Sequence, residues 1–261
     1  MNAPGWAIVT GASSGIGRAL AIEFAKGGFD LFLTGRNETA LAEVSAECSK
    51  TFHVSTEIFS ADLSRLDSID KLIATLAAKP RSYRALVNNA GFGIHGDFAS
   101  SDIDRELQLL NVQLAAAIKL TKAVLPSMIS NRSGRILTVS SVYGFAPVPH
   151  QSVYSACKSF LLSFSTSLRN ELEGTGVTVT VFCPGITQTQ FRDRAGISVK
   201  NKASGMTAEA AAEIAYKETM RGKAVVVPGI PNRLFVFASR VLPGGIFAGV
   251  VRQINRVRGP S

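Results

Sequence analysis

Short runs rich in β-branched and aromatic residues alternate along this chain with longer stretches of helical period. "WAIVT" (6–10) precedes 15–27, "FDLFLT" (29–34) precedes 37–49, "HVSTEIFSA" (53–61) precedes 65–79, and "YRALVNNA" (83–90) precedes 101–129. "GRILTVSS" (134–141) is followed by 153–173, "GVTVTVFCP" (176–184) by 207–221, and "KAVVVP" (223–228) by the C-terminal segment. Strands this apolar, separated by helical lengths, require right-handed crossovers and a parallel sheet covered on both faces. The pattern predicts a doubly wound α/β domain with a seven-stranded, mostly parallel sheet flanked by helices. No linker rich in Pro, Gly or Ser interrupts it, so residues 1–261 read as one domain. The period is weakest over 187–206, at the carboxyl end of the sixth strand, which is the expected place for a substrate lid.

The first strand-to-helix turn holds Gly11, Gly15 and Gly17, with Ser13, Ser14 and Ile16 between them. Glycines there let the backbone turn tightly and approach a ligand, and the N–H groups at the helix start meet phosphate charge. The spacing Gly-x-x-x-Gly-x-Gly is one residue wider than the usual dinucleotide fingerprint. A tight turn without a ligand is the bland alternative. A Walker-type loop is ruled out because no Gly-Lys-Ser/Thr follows. With such a turn the fold reads as Rossmann-like. The second strand ends in "LFLTGRN": in place of an acidic residue for ribose hydroxyls stand Gly35 and Arg36, and Arg36 can pair with a 2′-phosphate. NADP(H) is therefore the expected cofactor, with Arg18 as possible electrostatic support. Asp62 at the third strand exit is placed to meet the adenine amino group and Leu63 to offer backbone, although Asp62 or Ser64 could instead cap the next helix. Asn88, Asn89, Ala90 and Gly91 end the fourth strand, either packed on an extended ligand or forming an Asx-turn.

Tyr154 and Lys158 stand four apart in a helical stretch and so share a face. A phenol titrates near pH 10, and a neighbouring ammonium favours the phenolate, which would bring the pair toward working pH as a general acid and base. Ser141, from the end of the preceding strand, would join Tyr154 in stabilising the oxygen of a carbonyl receiving hydride. Lys158 would also hold the nicotinamide ribose. Singly, each residue has an ordinary reading: a half-buried tyrosine, a solvated lysine and a serine at a strand end.

The formal net charge of +9 comes from basic residues spread over the chain without aromatic interleaving, so no nucleic-acid module is expected. Cys48, Cys157 and Cys183 are odd in number, widely spaced and within regular segments. They suit small core residues in a reducing compartment; neither a metal site nor a disulfide framework is expected. The N-terminus shows no signal-peptide pattern, and the expected location is cytoplasmic.

Together these residues resemble the classical short-chain dehydrogenase/reductase family. The resemblance covers about residues 5–228, through "TGASSGIG" (10–17), "NNAG" (88–91), Asn111 in "LLNVQL", Ser141, "YSACK" (154–158) and "PGITQT" (184–189). It implies that Ser141, Tyr154 and Lys158 are catalytic. It also implies that Asn111 completes a tetrad, bending its helix and holding a water that relays protons to Lys158. By the same resemblance Pro184 and Gly185 form the turn near the nicotinamide, Ile186 and Thr189 lie near its ring or carboxamide with Thr187 beside them, and Arg36 is the basic residue of NADP-using members.

Residues 229–261 lie outside that core as a C-terminal extension with apolar residues at helical spacing among Arg233, Arg240, Arg252, Arg256 and Arg258. The segment reads as amphipathic helices that close the cleft or form a subunit contact, or as a peripheral attachment to an anionic membrane. Pro243, Gly244 and Gly245 interrupt it too early for a spanning helix. The substrate pocket is expected to be lined by Phe92, Ile94, Val142, Phe145, Ala146, Pro147, Val148 and Phe191, with His95, His150 and Gln151 as candidates to orient a polar substituent. The leading expectation is an NADPH-dependent oxidoreductase that reduces a hydrophobic ketone or aldehyde reversibly. An NAD-linked alcohol or hydroxysteroid-type dehydrogenase and a non-catalytic dinucleotide-binding scaffold are the alternatives. A homodimer or homotetramer is expected through 101–129 and 153–173, with Leu107, Leu110, Leu114, Phe160, Leu161 and Leu168 as possible contacts.

Overall fold

A computed structural model describes residues 4–79, 81–197 and 205–256. In chain order the main elements are β1 (Trp6–Thr10), α1 (Gly15–Lys26), β2 (Asp30–Gly35), α2 (Glu38–Phe52), β3 (Thr56–Ser60), α3 (Leu66–Ala77) and β4 (Tyr83–Asn88). They continue with α4 (Ile103–Leu110), α5 (Ala116–Ser130), β5 (Gly134–Val139), α6 (Ser152–Glu171) and β6 (Val177–Phe182). The last are β7 (Thr187–Gln188), the short α7 (Phe191–Arg194), β8 (Met206–Thr207), α8 (Ala208–Met220), β9 (Val225–Val226), α9 (Ile230–Val241) and α10 (Gly244–Arg256).

Seven strands form the expected sheet in the order β3-β2-β1-β4-β5-β6-β9, and every pairing is parallel. The chain winds outward from β1 to β3, then crosses to β4 and winds the other way, so the strand order reverses between β1 and β4. In such sheets ligands bind beyond the carboxyl ends of the strands at that reversal. Each face has its own core. Phe24, Leu31, Leu33 and Leu41 lie on one side with α1, α2 and α8, and Phe32, Leu72, Leu86 and Leu120 on the other with α3 and α5. All three cysteines are buried free thiols, as the sequence predicts, and burial pushes Cys48 and Cys157 up to about 11 and Cys183 to about 12.

Three boundaries differ from expectation. Helix α2 runs three residues beyond the predicted 49, to Phe52, and stops where His53 adopts φ 56° and donates its N–H to the Ser49 carbonyl. The seventh strand pairs over two residues only. The helical stretch predicted at 101–129 is interrupted between α4 and α5 by a π-turn over Asn111–Ala115, in which the Ala116 N–H reaches back to the Asn111 carbonyl. Of the predicted lid, residues 198–204 lie outside the described residues; its two ends are joined by the parallel pair β7–β8.

Phe24 is fully buried between the edges of Phe29 and Tyr216, with ring centroids 5.3 and 5.0 Å away. Phe24→Ala is expected to cost about 3–5 kcal/mol, read as a lower urea midpoint at an unchanged slope.

Candidate active site

The glycine turn after β1 is built for close approach. Gly11 and Gly15 have φ of 67° and 55°, and a Cβ on Gly17 would stand 2.1 Å from the Gly11 carbonyl oxygen. Thr10 Oγ1 ties this turn to the end of β4 by accepting the N–H groups of Asn89 and Ala90 at 2.9 and 3.0 Å. Helix α1 begins with Ser14 as N-cap, which makes no side-chain capping bond, and its first turn carries no acidic residue. Its N–H dipole therefore opens unopposed into a cleft of about 750 Å³.

That cleft brings together nearly all the residues the sequence singles out. Gly11, Ser13, Ser14, Gly15, Ile16 and Gly17 form one end with Arg36, Asp62 and Leu63. Ala90 and Gly91 continue the wall toward Ser141, Tyr154 and Lys158, and Pro184, Gly185, Ile186, Thr187 and Thr189 face them. Asp62 uses one carboxylate oxygen to accept the Ser64 N–H at 3.0 Å. Neither Asp62 nor Ser64 caps α3, whose N-cap position is Arg65.

Asn111 opens the π-turn, the helix distortion expected of it, and its amide donates to the Ser64 carbonyl at 2.9 Å. Three expectations need correction. Asn88 is buried below the cleft, where its amide donates to Thr121 Oγ1 at 3.1 Å; its neighbour Asn89 lines the cleft instead. Arg18 is in an ion pair with Glu47 of α2 and does not line the cleft. Of the apolar pocket residues, Phe92, Val142 and Phe191 line the cleft, but Ile94, Phe145, Ala146, Pro147 and Val148 do not. Ala146 and Val148 are covered by Phe247 and Val251 of α10.

The catalytic candidates are held by the junction of β5 and α6. Ser140 Oγ donates to the Lys158 carbonyl at 2.8 Å, Ser159 Oγ donates to the Gly144 carbonyl at 2.9 Å, and Lys158 Nζ donates to the Val139 carbonyl at 3.0 Å. Gly144 permits this approach, since a Cβ there would lie 2.8 Å from the Lys158 carbonyl oxygen. Ser141 caps the short 3-10 turn that follows β5, its Oγ accepting the Tyr143 N–H at 3.1 Å, which leaves the hydroxyl proton to donate into the cleft. The Tyr154 ring packs against Phe191 at 5.5 Å between centroids.

Burial pushes the Tyr154 phenol above its ordinary range; a hydrogen bond with Ser141 pulls the other way. Burial also lowers the Lys158 ammonium, to about 8. Lys158 Nζ lies 5.5 Å from the Tyr154 ring centroid. Burial is the first cause in both groups, so the phenol stands above its ordinary range and not, as the sequence predicts, below it.

Beside this constellation His95 forms part of the wall, with neither ring nitrogen hydrogen-bonded. Burial, and next His150, hold its imidazole below the ordinary range. His150 itself is turned to Asp97, Nδ1 to Oδ1 2.9 Å, and is not in the wall. Gln151 does line the cleft.

With this geometry in view, comparison with known proteins is direct. A family model described as short chain dehydrogenase matches residues 5–199. The chain belongs to the short-chain dehydrogenase family. Among relatives of this short-chain dehydrogenase, Sulfoacetaldehyde reductase 2 of Chromohalobacter salexigens is 37% identical over 186 residues, covering 70% of this chain and 73% of that protein. Dehydrogenase/reductase SDR family member 7B of Mus musculus is 31% identical over 263 residues, covering 96% and 81%. Among solved structures, the short-chain dehydrogenase from Sphingobium yanoikuyae in complex with NADPH is similar with a TM-score of 0.82 and 31% identity, covering 90% of this chain and 92% of that one. The bulky-bulky ketone specific alcohol dehydrogenase from Comamonas testosteroni gives 0.78 and 27%, covering 87% and 86%.

Sequence reasoning missed several wall residues of this dehydrogenase. Pro231, Asn232 and Phe235 come from α9 and Val251 from α10, so the extension closes part of the cleft. Gln113 sits against Gly91 and donates to the Phe92 carbonyl at 2.9 Å, a long-range contact that no local pattern announces.

The depressed Lys158 gives a stability test. Between pH 8 and 10 the unfolded lysine holds its proton more fully than the folded one, so this group adds stability as pH rises through that window and nothing further below it. Relative to Lys158→Met, the wild-type protein is expected to gain up to about 1.4 kcal/mol per pH unit across the window, measured by urea denaturation at stepped pH.

Proposed function

We propose that the protein is an NADPH-dependent reductase that converts a hydrophobic ketone or aldehyde into its alcohol, reversibly. The observation that carries this reading is that Ser141, Tyr154 and Lys158 share one cleft with the glycine turn and Arg36. The residues at the far end fit a phosphorylated dinucleotide. The α1 N-terminus is uncapped, the glycines leave space that a Cβ would fill, and the end of β2 offers a guanidinium where a ribose-binding carboxylate would stand. Gly35 keeps that strand end close to the glycine turn, with Ser13 Oγ 3.2 Å from where its Cβ would stand. NADPH supplies hydride when bound. The binding of NADPH by the Sphingobium protein supports the same cofactor here.

The chain's own groups then handle the oxygen and the proton. Ser141, its oxygen engaged by the Tyr143 N–H, donates to the carbonyl oxygen as negative charge develops there. Tyr154, kept protonated by burial, delivers its proton to the same oxygen. Lys158, fixed by Val139, holds a positive charge beside the phenol below about pH 8 and favours the phenolate that remains. Phe92, Val142, Phe191 and Phe235 make the substrate end apolar, while His95 and Gln151 offer it polar contacts. A ketone-specific structural relative accords with this lining. The reading also places the protein in the reducing cytoplasm, as a homodimer or homotetramer. Exposed Leu107 and Phe160 on α4 and α6 suit a subunit contact, whereas Leu161 and Leu168 are buried and Leu110 and Leu114 pack inward.

NADPH consumption over a series of hydrophobic ketones and aldehydes tests the reading. Tyr154→Phe is expected to lower kcat about 10²–10⁴-fold with little change in NADPH affinity; an unchanged rate rejects the assignment. Arg36→Ala is expected to raise the Kd for NADPH about tenfold or more and leave that for NADH in place, as measured by calorimetry.

A further inference from the structure

Helix α9 has two faces. Ile230, Leu234, Phe237 and Val241 are 62–71% exposed, and at 3.6 residues per turn they fall within an arc of about 60°. The opposite side carries Asn232, Phe235 and Val236, which face the cleft and the core. Helix α10 repeats the arrangement, with Ile246 and Val250 exposed and Phe247 and Val251 buried. Six large apolar side chains thus stand in water on a helix pair whose inner face already has its partner. That is a larger apolar display than scattered surface residues account for.

Charge decides the occupant. Seven of the 28 Lys and Arg residues follow Glu218, and no Asp or Glu does, so most of the net charge of +9 belongs to this end of the chain. Arg233 and Arg240 are exposed and lie along one border of the α9 stripe, and Arg252 is exposed on α10. A second copy would bring two like-charged, arginine-bordered helix pairs together. An anionic lipid surface instead accepts the apolar stripe into its acyl boundary and pairs the arginines with headgroups.

We propose that α9 and α10 dock the protein on an anionic bilayer, so that the helical wall of the substrate cleft rests on lipid. Flotation of the full-length protein with phosphatidylglycerol vesicles, without substrate, tests this apart from the catalytic reading. The protein is expected to float with them, to be released at high salt and to stay behind with phosphatidylcholine vesicles. Phe237→Glu, at a solvent-exposed position, is expected to lower partitioning about tenfold or more, and Phe237→Trp to retain it, with both variants keeping wild-type thermal stability. No flotation, equal flotation with both lipids, or loss of a self-association in light scattering in place of flotation overturns the proposal.

Discussion

The site depends on the fastening of α6 to the end of β5. Ser140 binds the Lys158 carbonyl, Lys158 binds the Val139 carbonyl, and Ser159 binds the Gly144 carbonyl, so strand end, 3-10 turn and helix are laced from both sides. Side chains as short as serine can make these bonds only if the backbones nearly touch, and Gly144 is what lets them. Ser141 and Tyr154, thirteen residues apart, then converge on one point. A rigid strand and a twenty-residue helix supply the precision that a loop could not.

The fastening has an electrostatic consequence. Lys158 reaches its carbonyl partner only by being buried, and the same desolvation that pulls its ammonium down pushes the neighbouring phenol up. Two groups that would each be charged or exchangeable at the surface are driven toward their neutral forms. In the proposed reaction the protonated phenol is the form that donates to a new alkoxide and the phenolate the form that takes the proton back, so one residue serves both directions of a reversible exchange.

Much of this was legible in the sequence because it is local. A strand run, a helix period, a glycine turn and a four-residue spacing are each decided within a few residues, so the sheet, the turn at 11–17 and the Tyr154–Lys158 pair emerged correctly. What failed was decided across the fold. Asn88, the last residue of β4, is drawn to Thr121 and Asn89, just past the strand, to Thr10, and neither partner is near in sequence. Arg18 was diverted by Glu47, which lies on another helix. Ala146 and Val148 are apolar and near the site, as expected, but α10 covers them, and the packing of a C-terminal helix on a mid-chain loop leaves no mark in either segment alone.

Besides the cover that α10 gives Ala146 and Val148, the extension is keyed into the core through Asn232. Gly185, in the turn after β6, faces Asn232 of α9 so closely that a Cβ there would lie 2.1 Å from its side-chain oxygen, and Asn232 is in turn fixed by donating to the Pro228 carbonyl at 2.6 Å. The turn bordering the catalytic end of the cleft and the first helix of the extension therefore set each other's position. A helix held so tightly on its inner side cannot rotate its exposed apolar stripe into the core to escape water. Relief must come from outside, and any surface that provides it bears on a helix pair that is also a wall of the cleft.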